Sequence, residues 1–487
     1  MNFTKMFIIF LITVITQSSV LASNDSEFTV EKANEYIAAN KHKVIQTYRL
    51  QYHFMAPIGW INDPNGFIYH RGEYHLFYQY NPYNATANKI HWGHAKSKDL
   101  VHWKHLPVAM APDQDYDADG VFSGSSMEKD GKLYVMYTGN SGNVQVQCIA
   151  ISEDDITFEK VAENPVIEAS TLPSNAQPQD FRDPKVIKRD NRYYVVTVSR
   201  TTENTGQVLL YQSEDLIEWE FKSILLQGTS AQGIMWECPD VFELDGKDVL
   251  ILSAIQMPVV GDDYHNIDSV IAFVGTIDWD EGNFNVETMK ELDHGMDFYA
   301  TQTLLDDKGR RIAISWMNMW ERSYPTAELN HGWAGAMTLP RILNLRNNYL
   351  VQTPIPEIAN NYNLITTLSR RTLKNGKWAK KERTVISYVT STHKLALNRK
   401  RSGVPITGAE NPPVDQRQVT VPLENNKLSL QIFLDRSSVE IFANNGTETL
   451  TANIYPTEKS SDGIQFTVVG TAVINYLSFS KIVDKKS

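Results

Sequence analysis

The chain has 487 residues, a formal net charge of −11 and 42% apolar residues. That length exceeds what one hydrophobic core usually organises, so two domains are expected, with enough apolar material to fill both. The acidic balance excludes a broad basic surface for nucleic acid or anionic lipid, which needs clustered Lys and Arg; a neutral small molecule is the expected partner, with no nucleic acid and no membrane.

Lys5, an apolar run from Met6 to Thr16 and the small-residue ending Val20-Leu21-Ala22 read as a secretory signal peptide over residues 1–22. The run is too short for a bilayer span, which needs about 20 apolar residues. A secreted protein is therefore expected. Sequons at Asn24, Asn84 and Asn445 could carry glycans on such a route. Cys148 and Cys238 are the only cysteines, so stability does not rest on a disulfide framework.

Residues 23–49 read as a helical segment and linker, with Val30, Ala33, Ile37 and Ala38 on one helix face and no assigned role. From Leu50 the pattern becomes short aromatic and β-branched runs broken by Gly, Asp, Asn and Lys, the mark of antiparallel strands. Five times the chain writes an apolar strand, a polar hairpin tip and a second apolar strand. Markers at Gly72, Gly131, Asn191, Gly246 and Gly309 are 59, 60, 55 and 63 residues apart. That period suits a four-stranded blade, so residues 50–345 are expected to form a five-bladed β-propeller rather than an irregular sandwich. Asn347-Asn348 to Asn363 reads as a connection, taken as residues 346–363. Residues 364–487 follow as a β-sandwich, with an alternating Leu428–Leu434 and the turn pair Asn445-Gly446.

Acidic residues hold fixed places in the repeat. Asp63 and Glu237 precede their markers by nine positions and Asp183 by eight, where the second repeat has Ser123. Equivalent positions in successive blades lie at equivalent places around the axis, so these side chains should converge at one end of the funnel. A carboxylate trio could hold Ca²⁺ or Mg²⁺, or hydrolyse a glycoside through a nucleophile and an acid. Trp60, Phe181 and Trp236 beside the carboxyls suit the apolar faces of a sugar, and Arg182 next to Asp183 disfavours a cation. Taken singly, Asn62-Asp63-Pro64-Asn65-Gly66 is ordinary turn chemistry, Arg182-Asp183 is an ion pair, Cys238 is packing, and Trp316 and Trp320 are as much core as wall.

Trp60-Ile61-Asn62-Asp63-Pro64-Asn65-Gly66, Phe77-Tyr78-Gln79, Trp92-Gly93-His94-Ala95, Phe122-Ser123-Gly124-Ser125, Phe181-Arg182-Asp183-Pro184 and Glu237-Cys238-Pro239-Asp240 resemble the signature segments of glycoside hydrolase family 32, the invertases, inulinases and levanases. Phe433 to Glu440 resembles the family's sandwich segment, so the likeness runs from about Gln51 to the C-terminus. The resemblance implies an all-β protein, a five-bladed β-propeller followed by a C-terminal β-sandwich, working by retention without cofactor or metal. It implies Asp63 as nucleophile, Glu237 as acid/base and Asp183 as transition-state stabiliser. Trp60, Asn62, Gln79, Phe122, Ser123 and Arg182 are implied as substrate-binding. Asp63 must then stay ionised while Glu237 holds a proton. The expected activity is β-fructofuranosidase action on terminal β-D-fructofuranosyl residues, with sucrose the expected substrate. An exo-inulinase or levanase, a fructosyltransferase using the same carboxyls, a catalytically silent fructoside-binding propeller and a metal-dependent propeller hydrolase are the alternatives. One departure is visible: the position where many bacterial-type members carry a pocket Trp is Ala87 here.

Overall fold

The computed structural model describes residues 27–374, 381–410, 412–458 and 463–483. The expected signal peptide and the Asn24 sequon lie outside the described residues, while Asn84 and Asn445 are exposed.

Thr29 starts the amino-terminal helix Val30–Asn40 by accepting the Lys32 amide hydrogen, satisfying one of the orphan N–H groups of the first turn. Val30, Ala33 and Ile37 pack against the first blade, whereas Ala38, expected on the same face, is exposed. The Tyr36 hydroxyl donates to the Tyr83 carbonyl at 2.9 Å.

Five antiparallel sheets follow. The first holds Gly59–His70, Glu73–Asn81, His91–Ser97 and Trp103–His105; the second Gly120–Lys129, Lys132–Ser141, Val144–Ser152 and Glu159–Lys160. The third holds Ala176–Arg189, Arg192–Thr201, Gly206–Ser213 and Glu220–Gln227; the fourth Met235–Leu244, Lys247–Ile255, Asp268–Asp278 and Asn283–Glu291. The fifth joins Tyr299–Leu305, Arg311–Trp316, Arg341–Arg346 and Tyr349–Pro354. The innermost strand of each sheet touches the innermost strands of its two neighbours, and the fifth returns to the first. Trp333–Ala334 also pairs in parallel with Gly59–Trp60 and fastens the ring. The five hairpins found in the sequence are the inner hairpins of these blades. At the first, second and fourth tips Arg71-Gly72, Asp130-Gly131 and Asp245-Gly246 all take positive φ, the backbone a two-residue turn with the sheet's own twist requires.

Tyr349–Pro354, inside the stretch expected to be a bare connection (346–363), is the outer strand of the fifth blade. Asn347 and Asn348 sit at φ 55 and 60 and form a hairpin turn, so an Asn pair that read as linker composition is turn chemistry.

Each inner strand breaks its ladder at the same height: between Ile61 and Pro64, Phe122 and Gly124, around Asp183, between Glu237 and Asp240, and between Tyr299 and Gln302. Asp183, Cys238 and Ala300 lie at φ 63, 49 and 53, a conformation costing on the order of 1–3 kcal/mol per residue. Side chains of the preceding blade or strand hold these bulges: Asn65 accepts from the Gly124 amide, Thr138 from Asp183, Asp183 from Cys238 and Ser253 from Ala300. At Gly124 the backbones approach so closely that a Cβ would meet the Met136 carbonyl oxygen at 2.0 Å. The bulges turn consecutive side chains toward the axis, and this aims the functional groups.

The second domain contains the sheets Arg383–Val389, Lys394–Arg401, Gln416–Thr420 and Leu430–Leu434, Ser438–Ala443, Glu448–Asn453, plus a ribbon of Tyr362–Lys374 with Thr471–Ile482. Its core of Leu395, Leu397, Val419, Val439, Ile441 and Leu450 receives Met296 from the propeller. Buried charges complete the joint. Arg341 reaches Asp293 at 2.9 Å and Glu440 at 2.6 Å, with its guanidinium over Phe298 and Phe442. His53 bridges Asp435 at 2.9 Å and Glu440 at 2.8 Å. Burial works against a charge on His53, but bonds to the two carboxylates outweigh it and push its pKa up to about 9. The stabilisation from this charge is full below pH 6.5 and is lost as pH rises through about 9.

Candidate active site

The trio converges at the mouth end of the inner strands. Asp63 is 7% exposed; its Oδ2 accepts from the Ser123 hydroxyl at 2.6 Å and the Cys238 thiol at 3.4 Å, and its Oδ1 from the Asn62 amide at 3.0 Å. Asn62 is in turn fixed by Trp60 Nε1, which donates to its oxygen at 2.9 Å, and by Gln79, whose oxygen accepts at 3.0 Å. Gln79 donates onward to Ser123 at 2.6 Å. This closed circuit determines which way each amide points, leaving Asp63 one set of donors and one open side.

Glu237 sits opposite with 18% of its side chain exposed. Arg182 Nε donates to Oε1 at 3.1 Å and the Tyr299 hydroxyl to Oε2 at 2.7 Å. Arg182 is itself held by Asp180 at 3.1 Å and by the Gln145 oxygen at 2.9 Å, and Arg200 engages the other oxygen of Asp180 at 2.6 Å. Asp183 turns its Oδ2 onto the Cys238 amide at 2.8 Å, within reach of the charges of both Glu237 and Asp63. Phe122 is half-buried beside Ser123. Eight of the nine residues singled out in the sequence are thus linked here, Asp63, Asp183, Glu237, Trp60, Asn62, Gln79, Ser123 and Arg182, while Phe122 neighbours Ser123 along the strand and its carbonyl accepts from Trp92 Nε1 at 3.0 Å.

Trp316 is fully buried and is core, while Trp320 is half-buried and packs at 4.9 Å from Trp316 and 6.1 Å from Trp60. Trp320 thus supplies aromatic wall beside Trp60, and Ala87 is exposed. Below the trio the axis is filled by groups that bond across blades: Lys185 to Asp240 at 2.8 Å, Asp240 to the Thr303 hydroxyl at 2.7 Å, and Gln302 to the Gly124 carbonyl at 2.6 Å. The pocket has one open end.

Burial raises the pKa of Asp63; the bond from Ser123 pulls it back, the charge of Glu237 raises it, and Asn62 and Cys238 lower it again. Burial and the Glu237 charge push Asp183 up to about 7, with Arg182 opposing. Cys238 is held well above its usual value by burial and the surrounding carboxylates, so it stays a thiol and donates. Burial and Glu237 likewise keep Tyr299 protonated. A reaction that needs Asp63 ionised should therefore lose kcat/KM on the acid side at a pH above 3.8, in a step that belongs to the carboxyl group as a whole. A pH–rate profile checks this; an acid limb at or below 3.8 contradicts it.

The sequence reading missed Tyr299, Asp180, Arg200 and Gln145. Tyr299 had a signal: Ala300 precedes Gly309 by nine positions, so carrying the repeat into the fifth blade points to the bulge beside it. Asp263, Glu291 and His294 are spaced for a metal ion, but Arg417 already occupies Glu291 at 2.9 Å, which disfavours a cation there. No helix among the described residues is long and apolar enough to cross a membrane.

A sequence model of the glycosyl hydrolases family 32 N-terminal domain matches residues 53–354, and one of the family 32 C-terminal domain matches residues 369–481. The chain is 36% identical to sucrose-6-phosphate hydrolase of Zymomonas mobilis, over 87% of this chain and 90% of the relative. It is 35% identical to raffinose invertase of Escherichia coli, over 87% and 93%. Among solved structures, a Bombyx mori GH32 beta-fructofuranosidase superposes with a TM-score of 0.79 at 32% identity, covering 92% of this chain and 97% of that one; a point mutant of that Bombyx mori protein has been solved in complex with sucrose.

Proposed function

The chain belongs to glycosyl hydrolase family 32 and is a glycoside hydrolase of the β-fructofuranosidase kind, and from that premise we propose a retaining enzyme, acting outside the cell, that removes terminal β-D-fructofuranosyl units, with unphosphorylated sucrose the foremost substrate. The observation that carries this reading is the facing pair of carboxyls in a one-ended pocket, Asp63 fed by three donors and Glu237 held at the mouth by Arg182 and Tyr299. In the first half-reaction Asp63 attacks the anomeric carbon of fructose while Glu237 protonates the departing glycosidic oxygen. In the second, Glu237 takes a proton from water, which displaces Asp63. Asp183 receives fructose hydroxyls and holds them more tightly as the ring gains oxocarbenium character. Export rests on the amino-terminal sequence alone.

A second reading comes from the relatives named as sucrose-6-phosphate hydrolases. A phosphorylated substrate asks for an available cation, as phosphate recognition is built on Arg and Lys. Around this mouth Arg182 and Arg200 are both engaged by Asp180, and Lys89 by Asp119, which favours the neutral sugar. Incubating the purified protein with sucrose, sucrose-6-phosphate, inulin and maltose separates the readings. Fructose release from sucrose is expected with kcat/KM at least about tenfold above that for the phosphate, and no glucose from maltose. A preference for sucrose-6-phosphate establishes the second reading.

A further inference from the structure

Beyond Glu237 the charged groups of the third blade continue outward in alternating sign. Arg182 gives its Nε to Glu237 at 3.1 Å, both terminal nitrogens to Asp180 Oδ1 at 3.1 Å, and one of them also to the Gln145 oxygen at 2.9 Å. Arg200 closes on the second oxygen of Asp180, through Nε at 2.7 Å and a terminal nitrogen at 2.6 Å. A bulge makes this meeting possible. Ser199 pairs with Phe181 and Thr201 with Ala176, so four residues, Gln177 to Asp180, stand opposite Arg200 alone. Gln177 ties the bulge down by donating to the Thr201 carbonyl at 2.6 Å, and Gln179 donates to the Gln177 oxygen at 2.7 Å.

Glu237 is met by the Arg182 cation and the Tyr299 hydroxyl, with the carboxyls of Asp63, Asp183 and Asp268 and the Cys238 thiol within reach of its charge. Arg182 is the one cation in that set. Burial works against its charge, but Glu237, Asp183 and Asp180 outweigh burial and hold it firmly cationic. A cation beside a carboxyl favours loss of the proton, so the acid form of Glu237 depends on how much of Arg182 is neutralised from its far side. Asp180 supplies that neutralisation, and Arg200 in turn offsets Asp180. These are charges in a site drier than bulk water, where the effective dielectric is low enough for them to be felt one link away.

We infer that Arg200 and Asp180 are positioning residues for the reaction: as a coupled pair behind Arg182 they set how far its charge reaches Glu237, and so the pH up to which Glu237 keeps the proton that it gives to the departing oxygen. The inference rests on the fructosidase reading and deepens it by assigning the control of its acid to two residues outside the pocket. The two members act with opposite sign. Without the Asp180 charge, Arg182 pulls harder on the Glu237 carboxylate and the proton is lost at lower pH. Without the Arg200 charge, Asp180 is left uncompensated, Arg182 is neutralised more fully, and the proton is kept to higher pH.

The test is the alkaline limb of the pH profile of kcat/KM on sucrose, which reports loss of the proton from the essential acid. Asp180→Asn is expected to move that limb down by about half a pH unit or more, and Arg200→Gln to move it up by a similar amount. Arg200→Lys, which keeps the charge, should leave the limb within about 0.2 pH unit of wild type. Gln145→Met removes a neutral contact to Arg182, so it should lower kcat without moving the limb; this separates charge from geometry. Limbs that stay in place in both charge variants, or that move in the same direction, overturn the inference, since the pair then only holds Arg182 in shape. A limb displaced as far by Gln145→Met overturns it as well. The fructosidase reading fails separately, if wild type releases no fructose from sucrose at any pH.

Discussion

Asp63→Asn is expected to lower kcat on sucrose by about 10⁵-fold, the scale on which loss of a nucleophile acts when the rest of a site stays intact. The substitution is nearly isosteric, and the Ser123–Gln79–Asn62 circuit that surrounds Asp63 can still form in part, so the folded structure should survive while the attacking oxygen becomes an amide. Glu237→Gln should cost about 10²–10⁴-fold, the range for general acid–base catalysis. Azide distinguishes the roles. In Glu237→Ala, azide can replace water on the covalent intermediate without needing a base, and a β-fructosyl azide is the expected product. In Asp63→Ala, azide can enter the vacated space and attack directly, giving the α anomer. An α-azide from the Glu237 variant would mean that no covalent intermediate forms, and the retaining proposal would fall. Rescue in neither variant, with both activities near wild type, would remove the catalytic assignment altogether.

The second large effect is structural. Arg341→Met leaves Asp293 and Glu440 facing each other's surroundings without their shared cation, although Met can still cover Phe298 and Phe442. Breaking a buried pair by removing one partner costs about 3–5 kcal/mol, because the remaining charge stays desolvated. Thermal or denaturant unfolding should show a loss of that size. Activity measured well below the new transition should be close to wild type, since Arg341 touches none of the trio. A change under about 1 kcal/mol would show that water or a rearranged His53 compensates the two carboxylates. The whole joint is charge-dense, with Arg322 and Arg399 both engaging Asp297, so losses there should not simply add.

The propeller was legible because its signal is periodic. Hairpin tips of Gly, Asp and Asn recur at the blade interval, and an offset counted from each tip found Asp63, Ser123, Asp183 and Glu237 without any knowledge of strand pairing. That offset works for a physical reason: the bulge lies at one height in every inner strand, and a fixed number of residues separates it from the turn. The residues that were missed do not share the offset. Asp180 precedes the bulge by three positions and Arg200 lies on the neighbouring strand, so their place near Glu237 depends on the register between Arg192–Thr201 and Ala176–Arg189. Gln145 comes from the second blade and meets Arg182 only once the blades are packed. The domain boundary was misplaced for a similar reason: Asn347-Asn348 has the composition of a linker, and only the left-handed backbone at both residues shows it to be the turn of a fifth blade's last hairpin.

The cross-blade tier of Lys185, Asp240, Thr303 and Gln302 beneath the trio has a kinetic meaning. A tunnel would let a polymer thread through and be cut again without letting go, but a well with a floor admits one terminal unit and nothing more. After each cut the fructose lies between the shortened chain and the floor, so the chain must leave before the product can. A site of this shape makes an enzyme distributive, so a mixture of fructans, if offered and accepted, is expected to shorten all together rather than one chain at a time.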